Sequence, residues 1–157
     1  MMLKSRLLLG FIFIISVFAA CEKPEPYDPA AQYTIDEARI KRWADSTNTV
    51  LTKHESGLYY KIDTPGTGDA VDLESMLVVD YEGRLLTDSV FAGTTDAQPY
   101  TFLLKNSIPG WKLGLPLIRK GGQIQLLIPS TLAYRGQVVG EVPANSPLHF
   151  VVRIREE

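Results

Sequence analysis

Ile108-Pro109-Gly110-Trp111-Lys112-Leu113-Gly114-Leu115-Pro116-Leu117-Ile118 reads as a helix set among strands. Pro109 suits a first helical position, where its missing N–H leaves no bond unmade. Trp111, Leu115 and Ile118 then share one face. Pro116 removes an interior hydrogen bond, so the helix must be short or irregular. Gly121-Gly122 beyond it reads as the helix stop.

On both sides of this segment the pattern is β. Leu58–Ile62, Met76–Glu82 and Tyr100–Leu104 are aromatic and β-branched runs. Gln123–Ile128 alternates before Pro129. Leu148, Phe150, Val152 and Ile154 alternate with His149, Val151 and Arg153, the cleanest period of two in the chain. Strands around one short helix give an α+β domain. Thr34 and Glu37 are spaced as a capping box, predicting a helix from Thr34 to about Ser46. Three prolines and several charges in Glu22–Gln32 read as a stiff, solvated tether.

The amino-terminal residues are of another kind. Lys4 and Arg6 precede an apolar run from Leu7 to Phe18, followed by Ala19-Ala20-Cys21. A basic start, an apolar stretch shorter than the roughly 20 residues of a spanning helix, and small residues at its end describe a secretory leader. Small residues directly before the chain's single cysteine resemble the lipobox of bacterial lipoproteins. That resemblance implies cleavage before Cys21 and lipid on its sulfur; the alternative is an uncleaved anchor helix. The expected organisation is a leader over 1–20, a lipidated cysteine and tether over 21–33, a helical extension over 34–55 and a folded domain over 56–157. The domain is then expected on a membrane of the bacterial envelope, held by the lipid.

Composition narrows the chemistry. Sixteen basic and 18 acidic residues in 157, a net charge of -2, give no basic surface for nucleic acid. One cysteine forms no internal disulfide, and two histidines build no histidine cage. No Gly-x-Ser-x-Gly elbow, P-loop or dinucleotide fingerprint occurs. His54, near a turn, and His149, on the less apolar side of the last strand, read as surface residues. Asp63, Asp69 and Asp72 lack the spacing of a calcium loop. The sequence therefore points to chemistry without a cofactor, a metal or a covalent nucleophile.

Aromatic residues remain. Tyr81, Phe91, Tyr100, Phe102, Trp111, Tyr134 and Phe150 fall on separate elements, and any one alone would read as core. Their succession is more specific. Val79-Asp80-Tyr81-Glu82-Gly83-Arg84-Leu85, Ser89-Val90-Phe91, Ile108-Pro109-Gly110-Trp111, Leu132-Ala133-Tyr134 and Val142-Pro143-x-Asn145-Ser146-x-Leu148-x-Phe150 follow in order. This resembles the FKBP-type peptidyl-prolyl cis–trans isomerases over about 56–155. The resemblance implies a curved antiparallel sheet wrapped around one short helix, with an aromatic pocket between them. It implies Trp111 as the pocket floor, and Tyr81, Phe91, Tyr100 or Phe102, and Phe150 as walls. Ile108 and Val142 would border it, and the Tyr134 hydroxyl would donate to a substrate carbonyl at the rim. Catalysis would rest on Tyr81, Phe91, Trp111, Tyr134 and Phe150, and substrate binding on Tyr100, Phe102, Ile108 and Val142. Proline-containing polypeptides are the implied substrates and macrolides the implied inhibitors.

The chain departs from the family pattern after Tyr134 and in the loop Phe91–Pro99, which also lacks the basic residue often found there. The aspartate usual after the Phe91 position is Ala92, and the glycine usual after Tyr134 is Arg135. The departure at Ala92 keeps a second reading open: a weakly catalytic FKBP-like module that holds a proline-containing segment of an envelope partner.

Overall fold

The structure is a computed structural model that describes residues 27–156. The leader over 1–20 and Cys21 lie outside the described residues. In chain order the elements are α1 (Pro29–Ser46), β1 (Thr52–Lys53), β2 (Tyr59–Thr64), β3 (Met76–Leu85), β4 (Val90–Gly93), β5 (Tyr100–Leu103), α2 (Pro109–Gly114), β6 (Gln123–Ile128) and β7 (Leu148–Ile154). The strands form one antiparallel sheet in the order β1-β2-β6-β7-β3-β4, with β5 also pairing with β3. The long β3 serves two short partners: Met76–Val79 pair with β5, and Glu82–Arg84 with β4.

The register separates two faces. Val79, Tyr81 and Gly83 sit opposite Ile154, Val152 and Phe150, and Phe150 sits opposite Leu126. Side chains alternate along a strand, so these residues share the inner face, where Leu126, Phe150, Val152 and Ile154 are buried with Trp111 and Leu115. Helix α2 packs there as expected from Pro109, and its last turn becomes a 3-10 turn at Leu115–Leu117, where Pro116 interrupts the α-helical bonding. Gly110 and Gly114 permit this close approach. A Cβ on Gly110 would meet Ile128 at 2.5 Å, and one on Gly114 would meet Leu126 at the same distance.

Three expectations need correction. Gly121-Gly122 do not close the helix. They form the turn into β6, with Gly121 at φ +80° and its N–H donating to the Ile154 carbonyl. Helix α1 begins at Pro29, not Thr34. Asp28 is the N-cap and accepts from the Ala30 and Ala31 N–H groups, while the Thr34 hydroxyl, inside the helix, donates to the Ala30 carbonyl. The third proline of the proline-rich run thus opens a helix. His149 is buried, not exposed, because α1 lies on the outer face over the row Tyr59–Leu127–His149. Ile40 packs there with Tyr59 and Leu127, and the Trp43 ring lies 4.7 Å from His149. His54 sits in its turn, paired with the Ser56 hydroxyl. Asp63 bonds Gln123 and Gln125, Asp69 faces Lys120, and Asp72 caps its own turn through Ser75; the three acids do not meet.

Candidate active site

A cavity of about 230 Å³ opens between the inner face of the sheet and α2. Tyr81 from β3, Phe91 and Ala92 from β4, Tyr100 from β5, Ile108 and Trp111 at the start of α2, Tyr134, and Phe150 from β7 line it. Trp111 is 5% exposed and forms the hub of the rings. Tyr81 meets it edge-on at 5.3 Å, Phe150 edge-on at 5.3 Å, and Phe102 tilted at 5.2 Å. Phe91 stands edge-on to Phe150 at 5.6 Å, and Tyr81 to Tyr100 at 5.9 Å. Edge-to-face contacts at these spacings are mutually attractive and fix ring orientation. The walls are therefore set before any ligand arrives.

Local sequence explains the placement. Tyr81 is on the inner face because the β3–β7 register puts it opposite Val152. Gly83, opposite Phe150, has no side chain because two rings occupy that space: a Cβ there would meet Phe150 at 2.7 Å and Phe91 at 2.8 Å. Trp111 points inward because Pro109 starts α2 two residues before it. Tyr134 follows the 3-10 turn Ser130–Leu132.

The Ser107 hydroxyl donates to the Leu104 carbonyl, but the tyrosine hydroxyls of the cavity are unengaged. Among the described residues, none hydrogen-bonds the Tyr81, Tyr100 or Tyr134 hydroxyl. The Trp111 indole N–H is buried without a partner. Burial, reinforced by Tyr100, holds the Tyr134 hydroxyl above its ordinary pKa; burial also raises Tyr81, aided by Tyr100 and Tyr134. Both remain protonated donors at neutral pH. The site offers apolar walls and O–H and N–H donors, with no carboxylate or imidazole among its lining side chains.

Of the nine residues expected around the pocket, the fold gathers Tyr81, Phe91, Tyr100, Ile108, Trp111, Tyr134 and Phe150 along this cavity. Phe102 and Val142 take another place. Both are buried in the core, Phe102 stacked on Tyr100 and packed against Trp111. Asn106 and Ser107 also line the cavity, and no sequence pattern marks them. Ala92 puts a methyl group at the wall, so Tyr81 has no carboxylate beside it there.

The sequence profile of the FKBP-type peptidyl-prolyl cis-trans isomerases matches residues 68–155, more than half of the chain. The chain belongs to this family. The FkpA isomerase of Buchnera aphidicola subsp. Acyrthosiphon pisum is 40% identical over 105 residues, 66% of this chain and 44% of that protein. Escherichia coli K12 FkpA is 40% identical over 100 residues, 63% of this chain and 37% of that protein. This FKBP-type chain spans less than half the length of these curated relatives. The crystal structure of Escherichia coli FkpA aligns with a TM-score of 0.69 at 34% identity, covering 81% of this chain and 61% of that one. A peptidyl-prolyl isomerase structure from Pseudomonas syringae aligns at 0.68 and 26% identity, covering 83% and 96%. The FKBP fold, a curved antiparallel sheet around one short helix, is thus present with its aromatic cavity.

Proposed function

We propose that this chain catalyses cis–trans isomerisation of X-Pro bonds in polypeptides of the bacterial envelope. The observation that carries this is the preset aromatic cavity with unengaged hydroxyl donors at its wall. An X-Pro bond exchanges over a barrier of about 18–20 kcal/mol because twisting destroys amide resonance. Its uncatalysed exchange takes roughly 10–100 s. The twisted amide is less charge-separated than the planar one, so a dry aromatic site favours it over the ground state. The proline ring enters against Trp111, Phe150 and Phe91. Tyr134 donates its O–H to a carbonyl of the substrate and fixes the chain on one side of the rotating bond. No proton leaves the tyrosine, in keeping with its raised pKa. Macrolides, apolar and rich in carbonyl acceptors, are the inhibitor class that this reading implies.

The test is X-Pro exchange in a model peptide, followed with and without the protein. A rate equal to the uncatalysed one sinks the enzyme reading. Ala92 favours a second reading, a binding module with little catalysis. That reading predicts saturable binding of a proline peptide, measured by Trp111 fluorescence, with no acceleration.

The anchor belongs to the same proposal: lipid on Cys21 holds the domain at an envelope membrane. The single cysteine directly after Ala19-Ala20 supports it. Among the described residues no helix is long and apolar enough to cross a membrane. Two acyl chains anchor stably, at about 0.8 kcal/mol per buried methylene. Cys21→Ser is expected to move the protein from the membrane fraction to the soluble fraction; unchanged partitioning overturns the lipid.

A further inference from the structure

Helix α1 lies before the matched family segment, yet it is bonded to the loop that carries Tyr134. Asp36 on α1 is fully buried, and so is Ser130, which opens that loop. One carboxylate oxygen of Asp36 accepts from both the Ser130 N–H, at 2.7 Å, and the Ser130 hydroxyl, at 2.5 Å. The Ser130 carbonyl in turn accepts from the Ala133 and Arg135 N–H groups, the residues on either side of Tyr134. One turn along α1, the Arg39 guanidinium donates to the Asn145 carbonyl at 3.0 Å, and the Asn145 N–H donates to the Arg135 carbonyl at 2.8 Å. The chain of bonds therefore leaves α1 at Asp36, passes both neighbours of Tyr134 and returns to α1 at Arg39. Arg135 and Asn145 hold positive φ values of 56° and 59°, conformations that side chains adopt only when their surroundings impose them.

We propose that α1 is part of the isomerase machinery, with Asp36 as a positioning residue that sets the Tyr134 hydroxyl against the cavity through Ser130. This rests on the isomerase reading above and extends it beyond the family segment. A loop free to move would spread that hydroxyl over many positions, and small misplacements of a catalytic group cost large factors in rate.

The test combines two measurements on the full chain. In X-Pro exchange, Asp36→Ala is expected to lower kcat/KM about tenfold under conditions where it stays folded. Asp36→Asn keeps an acceptor for Ser130 and should restore most of the rate. Asp36→Ala with Tyr134→Phe should be no slower than the slower single variant, because both remove the same placed hydroxyl. Additive losses would assign Asp36 to general stability and overturn the proposal. In amide hydrogen exchange, Ser130, Ala133 and Arg135 should lose protection in Asp36→Ala while the β6 and β7 amides keep theirs; an unchanged loop also overturns it. If Asp36→Ala fails to fold, Ser130→Ala, which keeps the backbone bond, should give the same pattern at smaller size. A native chain without catalysis would refute the isomerase reading alone, and the exchange measurement would still judge whether α1 fixes the Tyr134 loop.

Discussion

The inner and outer faces of the sheet spend aromatic residues in opposite ways. On the inner face, Tyr81, Tyr100 and Tyr134 keep their hydroxyls free beside Trp111, and the space between the rings stays open. On the outer face, the Tyr59 hydroxyl donates to Glu37 at 2.6 Å, and Lys53 bonds the same carboxylate at 2.7 Å while lying over the Tyr33 and Tyr59 rings. There α1 covers the row Tyr59–Leu127–His149. The outer face still buries the Trp43 and His149 ring nitrogens without a partner, as the inner face does the Trp111 N–H, so the tyrosine hydroxyls are what separate the two faces: bonded on the outer one, left open to a ligand on the inner one.

The largest effect expected from breaking this contrast is on the inner face. Trp111→Ala removes the hub of the rings. It should destabilise the fold by about 3–5 kcal/mol in urea unfolding and abolish proline-peptide binding. Gly83→Ala drives a methyl group between Phe91 and Phe150. It should cost about 1–3 kcal/mol and depress exchange activity, while the tyrosine spectrum of the outer face is unaltered.

Glu37→Gln should cost about 1 kcal/mol at pH 7, after allowance for partial exposure, with activity per folded molecule unchanged. Its pH dependence gives a sharper check. The hydrogen bonds from Lys53 and Tyr59 pull the Glu37 pKa from 4.5 to about 2. The unfolded chain takes up the proton first, so this stabilisation is complete above pH 4.5 and is lost as pH falls toward 2. The Gln variant should lose less stability over that interval in thermal melts.

Ala92→Asp sharpens the contrast from the other side, by giving Tyr81 an acceptor. A roughly threefold gain in exchange rate is expected, on the scale of one hydrogen bond. An equal or lower rate would show that the missing acid does not limit activity. The smallest effect concerns His149. Burial holds its pKa below 6.5, and Arg84 adds to this. The unfolded chain therefore binds a proton that the folded one excludes, and stability declines as pH falls below 6.5. His149→Phe should flatten the melting temperature between pH 7 and 5.

These residues also show which features were legible in the sequence. Strands β6 and β7 were readable because their inner-face positions are apolar throughout while Gln123, Gln125, His149 and Arg153 mark the other face, a period of two. The start of α2 was readable from Pro109. The cavity aromatics were readable only as an ordered set, since each alone has the composition of core. The start of α1 was hidden, because proline suits a tether and a first helical turn equally well, and only the Asp28 cap distinguishes them. The burial of His149 was hidden for a different reason: a residue on the less apolar side of a strand is covered only if a distant segment arrives, and Trp43 is more than a hundred positions away. Asp36 gave no signal, since an acid near a helix start is ordinary. Its role depends on a partner, Ser130, that the fold alone brings to it.

The placement of α1 also bears on how far the chain can be shortened. A fragment trimmed to the matched segment would begin at residue 68, beyond β1 and β2. It would keep every aromatic ring of the cavity and still uncover Leu127, His149 and the free edge of β6. A bare strand edge beside an apolar row invites pairing with a second chain. A fragment that keeps the outer row covered must therefore include α1, from the Asp28 cap onward.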